Sequence, residues 1–237
     1  LLPAVSAGSL VTGRDDQLWL QLWREQRSSE FHQSAVNPLL ARFWPDLNLA
    51  PNSRIFVPLC GKSLDMLWLA EQGHEVIGVE LSPLAVQSFF AEQGWQPSSR
   101  QSGAFRLWQH QRISILCGDY FALTASDLGA VDVVYDRAAL TALPEAIRPP
   151  YIEHLRRIVP ASASVFLLTI EDAAEGDSLQ QALGVDEELE RLCAQHYQIE
   201  LAHVESLLEV DADDPAQNTY RVEYKLYRLS GWQAVMP

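Results

Sequence analysis

Two short apolar runs, Arg54-Ile55-Phe56-Val57-Pro58 and Val76-Ile77-Gly78-Val79, leave this chain few folds, because a tight loop and one helix are all that fits between them. Both runs are too short for buried helices and are rich in β-branched residues, so they read as buried strands. Leu59-Cys60-Gly61-Lys62 makes the turn, Leu64, Met66, Leu67, Leu69 and Ala70 line a helix, and Gly73 closes it. The second strand ends in Glu80, roughly twenty residues past Gly61, where an acidic side chain meets ribose hydroxyls in nucleotide-type sites.

The loop holds a single glycine rather than G-x-G-x-x-G, so a pyrophosphate would find few free backbone approaches, and NAD and FAD are disfavoured. A cofactor with adenosine but no phosphates needs only a tight turn, backbone contacts and a ribose-binding acid, which Gly61 and Glu80 supply. The alternative is that Gly61 merely turns the chain and Glu80 is a solvated strand end.

Strand and helix patterns alternate through the rest of the chain. Leu18, Trp19, Leu22 and Trp23 recur at helical spacing after Asp15 and Asp16, which predicts a helix to about Arg27, and Asn37-Pro38 starts a second piece to Trp44. Ser82-Pro83 caps a helix whose Leu84, Ala85, Phe89 and Phe90 would face a sheet. Phe105 to Gln109 and Arg112 to Cys117 form a hairpin-like pair, Val131 to Tyr135 and Val165 to Ile170 are buried strands, and a helix from about Pro144 to Ile158 lies between those two. A helix over 186–194 and alternating strands over 198–204 and 220–227 complete the pattern. The sum is a doubly wound α/β fold: a mostly parallel sheet with helices on both faces, an antiparallel edge, and ligand at the carboxyl ends of the strands. No linker divides it, so residues 1–237 read as one domain: a loose tail over 1–13, an N-terminal helical lid over 15–48 and an α/β core over 53–237.

Seventeen Lys and Arg against 31 Asp and Glu leave a net charge of -14 with no basic cluster, which disfavours nucleic acid and anionic membranes and favours a small-molecule partner. No apolar run is long enough to span a bilayer, and the opening residues lack a basic signal-peptide region, so a soluble, cytoplasmic protein is expected. Cys60, Cys117 and Cys193 have no C-x-x-C spacing and read as reduced thiols. His74, His110, His154, His196 and His203 have no ligand spacing, so no metal is assigned.

Four further positions carry chemistry. Phe31-His32 lies between the N-terminal helices, where it can fold over the carboxyl edge and exclude water; a structural histidine is the competing reading, and for Trp19 ordinary helix packing is favoured. Asp136-Arg137 ends the fourth strand, placing Arg137 to face substrate or a cofactor carboxylate, unless the two only pair with each other. Asp119 could accept from an exocyclic amine and Tyr120 could offer an apolar face to an adenine, or both could belong to a solvated turn.

Phe31-His32-Gln33, Asn37-Pro38-Leu39-Leu40, Pro58-Leu59-Cys60-Gly61-Lys62 with Ser63-Leu64-Asp65-Met66, Gly73-His74-Glu75-Val76-Ile77-Gly78-Val79-Glu80, Phe89-Phe90 and Tyr135-Asp136-Arg137-Ala138-Ala139-Leu140 together resemble the bacterial branch of the thiopurine S-methyltransferase family. The resemblance covers about residues 16 to 170 closely. It implies a seven-stranded, Rossmann-like class I methyltransferase fold that transfers a methyl group from S-adenosylmethionine to a thiol or selenol. It also implies that Trp23, Leu59, Glu80, Asp119, Tyr120 and Arg137 contact the cofactor beside Gly61, and that Phe31 and Arg137 face the acceptor. His32 and Asp136 are the candidates for a base that deprotonates the acceptor, and a monomer is expected.

The chain departs from that family at Gln180-Gln181-Ala182-Leu183, where Gly-Pro-Pro-Phe is usual, and at Glu30, where a small residue is usual. Without that aromatic wall, and with acidic Glu171-Asp172 and Glu175-Gly176-Asp177 nearby, a neutral or cationic thiol is the first expectation for the acceptor. Methylation of a small inorganic or anionic acceptor, such as a selenium or tellurium species, sulfide or a halide, is the alternative; a non-catalytic cofactor-binding protein is the remaining one.

Overall fold

A computed structural model describes residues 16–25, 33–172, 186–210 and 219–231. The expected tail over 1–13, Glu30, Phe31, His32 and the departure at 180–183 lie outside those ranges.

The described residues form one sheet of nine strands: β1 Arg54–Val57, β2 Glu75–Glu80, β3 Ser98–Ser102, β4 Phe105–His110, β5 Ile113–Cys117, β6 Val133–Arg137, β7 Ser164–Asp172, β8 Tyr197–Val210 and β9 Thr219–Gly231. Their order is β3-β4-β5-β2-β1-β6-β7-β9-β8. The run β5-β2-β1-β6-β7 is parallel throughout, and both edges are antiparallel. The seven strands expected are thus corrected to nine, and the single antiparallel edge to two. Part of the excess is β3, Ser98-Ser99-Arg100-Gln101-Ser102, which has no apolar residue and so shows neither alternation nor an apolar run. It forms because Gly103, at φ +58°, folds it back onto β4 in register from Ser102↔Phe105 to Ser98↔Gln109.

The sixth strand begins two residues later than the sequence suggests, at Val133, and Asp132 before it accepts the Arg54 N–H at 2.7 Å through its side chain while donating its own N–H to the Arg54 carbonyl at 2.9 Å. Asp136 and Arg137 are its last two residues, as the sequence suggests. The helices are α1 Asp16–Arg24, α2 Pro38–Phe43, α3 Asp65–Glu71, α4 Pro83–Glu92, α5 Ala125–Leu128, α6 Ala139–Ala142, α7 Arg148–Ile158 and α8 Glu187–Cys193. Asn37 caps α2 by accepting the N–H groups of Leu39 and Leu40, and beyond the expected end at Trp44 a 3-10 helix with Pro45 in its first turn continues to Leu47. α7 is α-helical only from Arg148, after a 3-10 turn Glu145–Ile147, with Pro149 and Pro150 in its first turn, where no N–H is needed. Leu84, expected to face the sheet, is 46% exposed. The buried stripe of α4 is Ala85, Val86, Phe89 and Phe90, and Leu84 falls one helical step outside it.

Alternation along the central strands supplies a core on each face. Phe56, Ile77, Val79 and Val134 point toward α5, α7 and α8, burying Leu128, Tyr151, Leu155 and Leu189. Ile55, Val57, Val76, Val133 and Tyr135 point toward α2, α3 and α4, burying Leu39, Leu40, Trp44, Met66, Leu69 and Phe89. α2 is thus core, whereas α1 brings Trp19 and Trp23 over the carboxyl edge. The chain leaves β1 toward β2 and β5 and returns to β6 on the other side, so the topological switch point lies beside β1. No described helix is long and apolar enough to cross a membrane.

Gly78 in β2 tests this packing. A Cβ there would stand 2.6 Å from Cys60 Sγ and 3.3 Å from Met66 Sδ. Gly78→Ala should destabilise the protein by about 1–3 kcal/mol in urea unfolding, and adding Cys60→Ala should recover most of the loss. A neutral Gly78→Ala would mean that the loop after β1 does not pack on β2 in this way.

Candidate active site

A cavity of about 640 Å³ opens at the carboxyl ends of the parallel strands, within the usual range of small-molecule sites, about 300–1,000 Å³. Its walls are Val57 to Ser63 after β1, Glu80 and Leu81 after β2, Gly118 to Phe121 after β5, Arg137 to Ala139 with Thr141 to Leu143 after β6, and Ile170, Val222 and Tyr224 from β7 and β9. Asp16, Trp19 and Trp23 close it from α1.

Glu80 organises the first wall. Its two oxygens accept the N–H of Gly61 at 2.9 Å and of Ser82 at 2.8 Å, tying the loop after β1 to the turn that enters α4. Burial raises its carboxyl pKa, while those backbone N–H groups pull it down. The loop is tight enough that Leu59 takes φ +47° and Gly61 φ +53°. At Gly61 a side chain would also meet the Trp23 ring, 3.4 Å from where Cβ would stand. Cys60 lines the cavity, but burial, then Glu80, pushes its thiol well above the ordinary range, so it stays protonated and weakly nucleophilic.

Asp136 and Arg137 follow each other in β6 and so point to opposite faces. Arg137 shares its face with Tyr135 and lies 3.9 Å from Asp65, the first residue of α3. Its Nε is buried with no hydrogen-bond partner among the described residues, in a residue that lines a ligand-sized cavity. Asp136 does not line the cavity. It accepts from Tyr151 Oη at 2.7 Å and from the N–H groups of Ala139 at 2.9 Å and Leu140 at 3.3 Å, which fixes a turn where Ala138 takes φ +57°. Tyr151 stacks on Tyr120 at 4.8 Å, Tyr120 Oη donates to the Tyr151 carbonyl at 3.0 Å, and His154 Nε2 lies 3.1 Å from the Tyr120 carbonyl. Asp119 caps the short 3-10 turn by accepting the Phe121 N–H at 2.9 Å. Burial pushes the Tyr120, Tyr135 and Tyr151 phenols well above their usual range, so all three remain donors.

Of the residues expected from sequence, Trp23, Leu59, Gly61, Glu80, Asp119, Tyr120 and Arg137 meet at this one cavity, Asp136 stands behind it, and Phe31 and His32 lie outside the described residues. The pairing of Asp136 with Arg137 is replaced by Asp65 with Arg137. Trp19, read from sequence as helix packing, lines the cavity. Asp65, Tyr135 and Tyr151 were not singled out, and their roles arise from contacts across as many as 70 positions. No group of three or more His, Cys, Asp and Glu that could hold a metal occurs among the described residues.

Burial pushes the Asp136 carboxyl up to about 6, although the Tyr151 hydroxyl and the Leu140 and Ala139 N–H groups pull it down. A folded-state value above the unfolded one means that the folded protein holds this proton more tightly. The resulting stability is full below pH ~4 and is lost as pH rises through ~6, in total about 3 kcal/mol. The unfolding free energy of Asp136→Asn minus that of the wild type should therefore rise by about this amount between pH 4 and pH 7. A difference that does not change with pH would show that Asp136 titrates normally.

The sequence profile described as thiopurine S-methyltransferase matches residues 14–232. A thiopurine S-methyltransferase of Stutzerimonas stutzeri is 62% identical over 227 residues, covering 96% of this chain and 95% of that protein. Among solved structures, an S-adenosylmethionine-dependent methyltransferase of Anabaena variabilis superposes with a TM-score of 0.60 at 15% identity, covering 94% of this chain and 99% of that one. A 1,6-didemethyltoxoflavin-N1-methyltransferase of Burkholderia thailandensis, solved with bound S-adenosylhomocysteine, superposes with a TM-score of 0.58 at 14% identity, covering 91% and 87%. At those identities the superpositions establish a shared class I, Rossmann-like fold. Profile and sequence identity go further: this chain belongs to the thiopurine S-methyltransferase family.

Proposed function

We propose that the cavity seats S-adenosylmethionine across the carboxyl ends of β1, β2 and β5, with Glu80 on the ribose, Asp119 and Tyr120 at the adenine, and Trp23, Leu59 and Gly61 around the rest. An acceptor thiol then meets the methyl group beside Arg137. As a member of its family the protein is an S-adenosylmethionine-dependent methyltransferase acting on thiol-type small molecules. The observation that carries the assignment of residues is the convergence of Gly61, Glu80 and Arg137 on one cavity, with the buried Arg137 Nε left without a partner among the described residues.

The fit to this cofactor rests on the chain itself. Gly61 leaves the cavity floor open where a side chain would meet Trp23, and Glu80 ends β2 beside it. Bound S-adenosylmethionine supplies a methyl group already activated by its sulfonium. The residues therefore need only exclude water, align the acceptor and stabilise its thiolate, and alignment alone is worth up to about 7–11 kcal/mol. Trp19 and Trp23 cover the site, and Arg137 is the counter-charge for the thiolate. Asp136 has three donors on its carboxylate and no place in the cavity wall, so the thiol proton leaves by another route, for which water is the simplest carrier. Here Asp136 supports the turn that carries Arg137.

The lining favours an organic thiol over an inorganic anion: Val57, Leu143, Ile170, Val222 and Tyr224 offer an apolar wall. Asp16, Glu80 and Asp119 line the same cavity, while Lys62 is engaged by Glu92 at 2.6 Å, so a neutral or cationic thiol is preferred to a thiol carboxylate. We further assign the protein to work as a monomer in the cytoplasm without nucleic acid or membrane, a reading supported by its acidic excess of 31 against 17.

Glu80→Ala should weaken S-adenosylhomocysteine binding by about 1.5–3 kcal/mol in calorimetry, the range for a hydrogen bond to a charged group. Unchanged affinity in a folded variant would remove Glu80 from the ribose site. In a methyl-transfer screen with products identified by mass, kcat/KM for a neutral thiol or an aminothiol should exceed that for a thiol carboxylate or selenite by about tenfold or more. The reverse order would mean that the charge of the pocket has been misjudged.

A further inference from the structure

Asp65 stands outside the cavity wall, behind Arg137, and contacts Tyr135, Arg137 and Asn37. It is 1% exposed. Oδ2 accepts the Tyr135 hydroxyl at 2.7 Å and lies 3.9 Å from Arg137 Nη1, while Oδ1 accepts the Asn37 N–H at 2.8 Å. Asn37 is the residue that caps α2. One carboxylate thus joins the start of α2, the first turn of α3 and the end of β6.

The two contacts on Oδ2 differ in kind. The Tyr135 bond is short and directional. The Arg137 contact is too long for a charge-assisted hydrogen bond, which closes at about 2.7–2.9 Å. At 3.9 Å the carboxylate attracts the guanidinium without occupying its donors, and Nε is also unclaimed among the described residues. An arginine held this way is oriented by a charge yet keeps its N–H groups for a ligand. The negative charge behind it also limits how strongly it can favour an anion in front, since charges a few ångströms apart in an apolar site interact far more strongly than in water.

We propose that Asp65 is a positioning residue of the methyl-transfer site, aiming Arg137 into the cavity and setting how strongly Arg137 favours the thiolate form of the acceptor. The proposal rests on the reading of Arg137 as the thiolate's counter-charge. Two consequences follow from removing the charge alone, as in Asp65→Asn, which keeps an oxygen for the Asn37 N–H. The guanidinium loses its aim, so turnover falls. What positive charge remains is no longer balanced from behind, so the bound thiol ionises at lower pH.

The experiment is the pH dependence of kcat with an alkyl thiol at saturating S-adenosylmethionine, which reports ionisation in the bound complex. Each variant is normalised to its S-adenosylhomocysteine sites counted by calorimetry. Asp65→Asn should lower the plateau about tenfold and move the acidic limb down by about half a unit or more. Tyr135→Phe, which removes the hydroxyl but leaves the Asp65 charge, should keep the limb in place. If Asp65→Asn does not bind S-adenosylhomocysteine, Asp65→Glu carries the test: it keeps the charge but displaces it, so its limb should stay while its plateau falls. An Asp65→Asn plateau within about twofold of the wild type with an unmoved limb, or an Asp65→Glu enzyme that matches the wild type, would overturn the proposal and leave Asp65 a folding residue. A wild-type profile with no acidic limb would instead overturn the thiolate reading of Arg137, and this proposal with it.

Discussion

The backbone N–H groups of the loops at the carboxyl edge of this sheet need acceptors in a place where apolar residues exclude water. Three carboxylates, each less than a tenth exposed, supply them: Asp65 accepts the N–H of Asn37, Glu80 those of Gly61 and Ser82, and Asp136 those of Ala139 and Leu140. A buried N–H without a partner costs about 1–3 kcal/mol, so removing any of these side chains loosens a cavity wall as well as deleting a charge. The cavity is a gap between loops whose ends are fastened from behind.

That fastening explains how strained backbone survives here. Leu59 and Ala138 both take positive φ, +47° and +57°, without being glycine, and they follow β1 and β6, the neighbours at the switch point. Such residues cost on the order of 1–3 kcal/mol each and persist only where the surroundings over-determine them. Around Leu59 the restraints are the Glu80 bond to Gly61 and the Cys60 N–H bond to Val79, and around Ala138 they are the Asp136 bonds and the Ala138 N–H bond to Leu168. The gain is placement: Leu59 lines the cavity, and the turn after Arg137 brings Ala138, Ala139 and Thr141 into its wall.

What could be read from the sequence follows the range of the interactions. Gly61 and Glu80 were legible because their meaning is local, a strand, a turn and a second strand at set spacing, and Arg137 because it ends an apolar run. Asp136 was legible as important but not in its role. Adjacency in the sequence suggested a pair with Arg137 or a base, whereas the period of two in β6 sends one to Tyr151 and the other toward Asp65. Asp65 entered the sequence reading only as one letter of the Ser63-Leu64-Asp65-Met66 motif, since nothing nearby in the chain marks its bonds to Tyr135 and Asn37. β3 was invisible because both of its faces are polar, and its existence depends on its partner.

The distribution of charge around Arg137 bears on how such a site gains rate. Transfer of a methyl group from a sulfonium to a thiolate removes one positive and one negative charge, so groups that stabilise both charges too well in the ground state would oppose the reaction. The lining avoids this. Val57, Leu59, Leu143, Ile170 and Val222 present no donors from their side chains, Lys62 is turned to Glu92, and Arg137, the cation we assign to the acceptor side, is backed by Asp65. In such surroundings the two reacting charges attract each other more strongly than in water, and their approach is assisted by the wall without being competed for by it. A buried arginine with no carboxylate behind it would bind the thiolate tightly and hold it back. One balanced by a buried carboxylate can favour ionisation of the thiol and still release its charge as the carbon–sulfur bond forms.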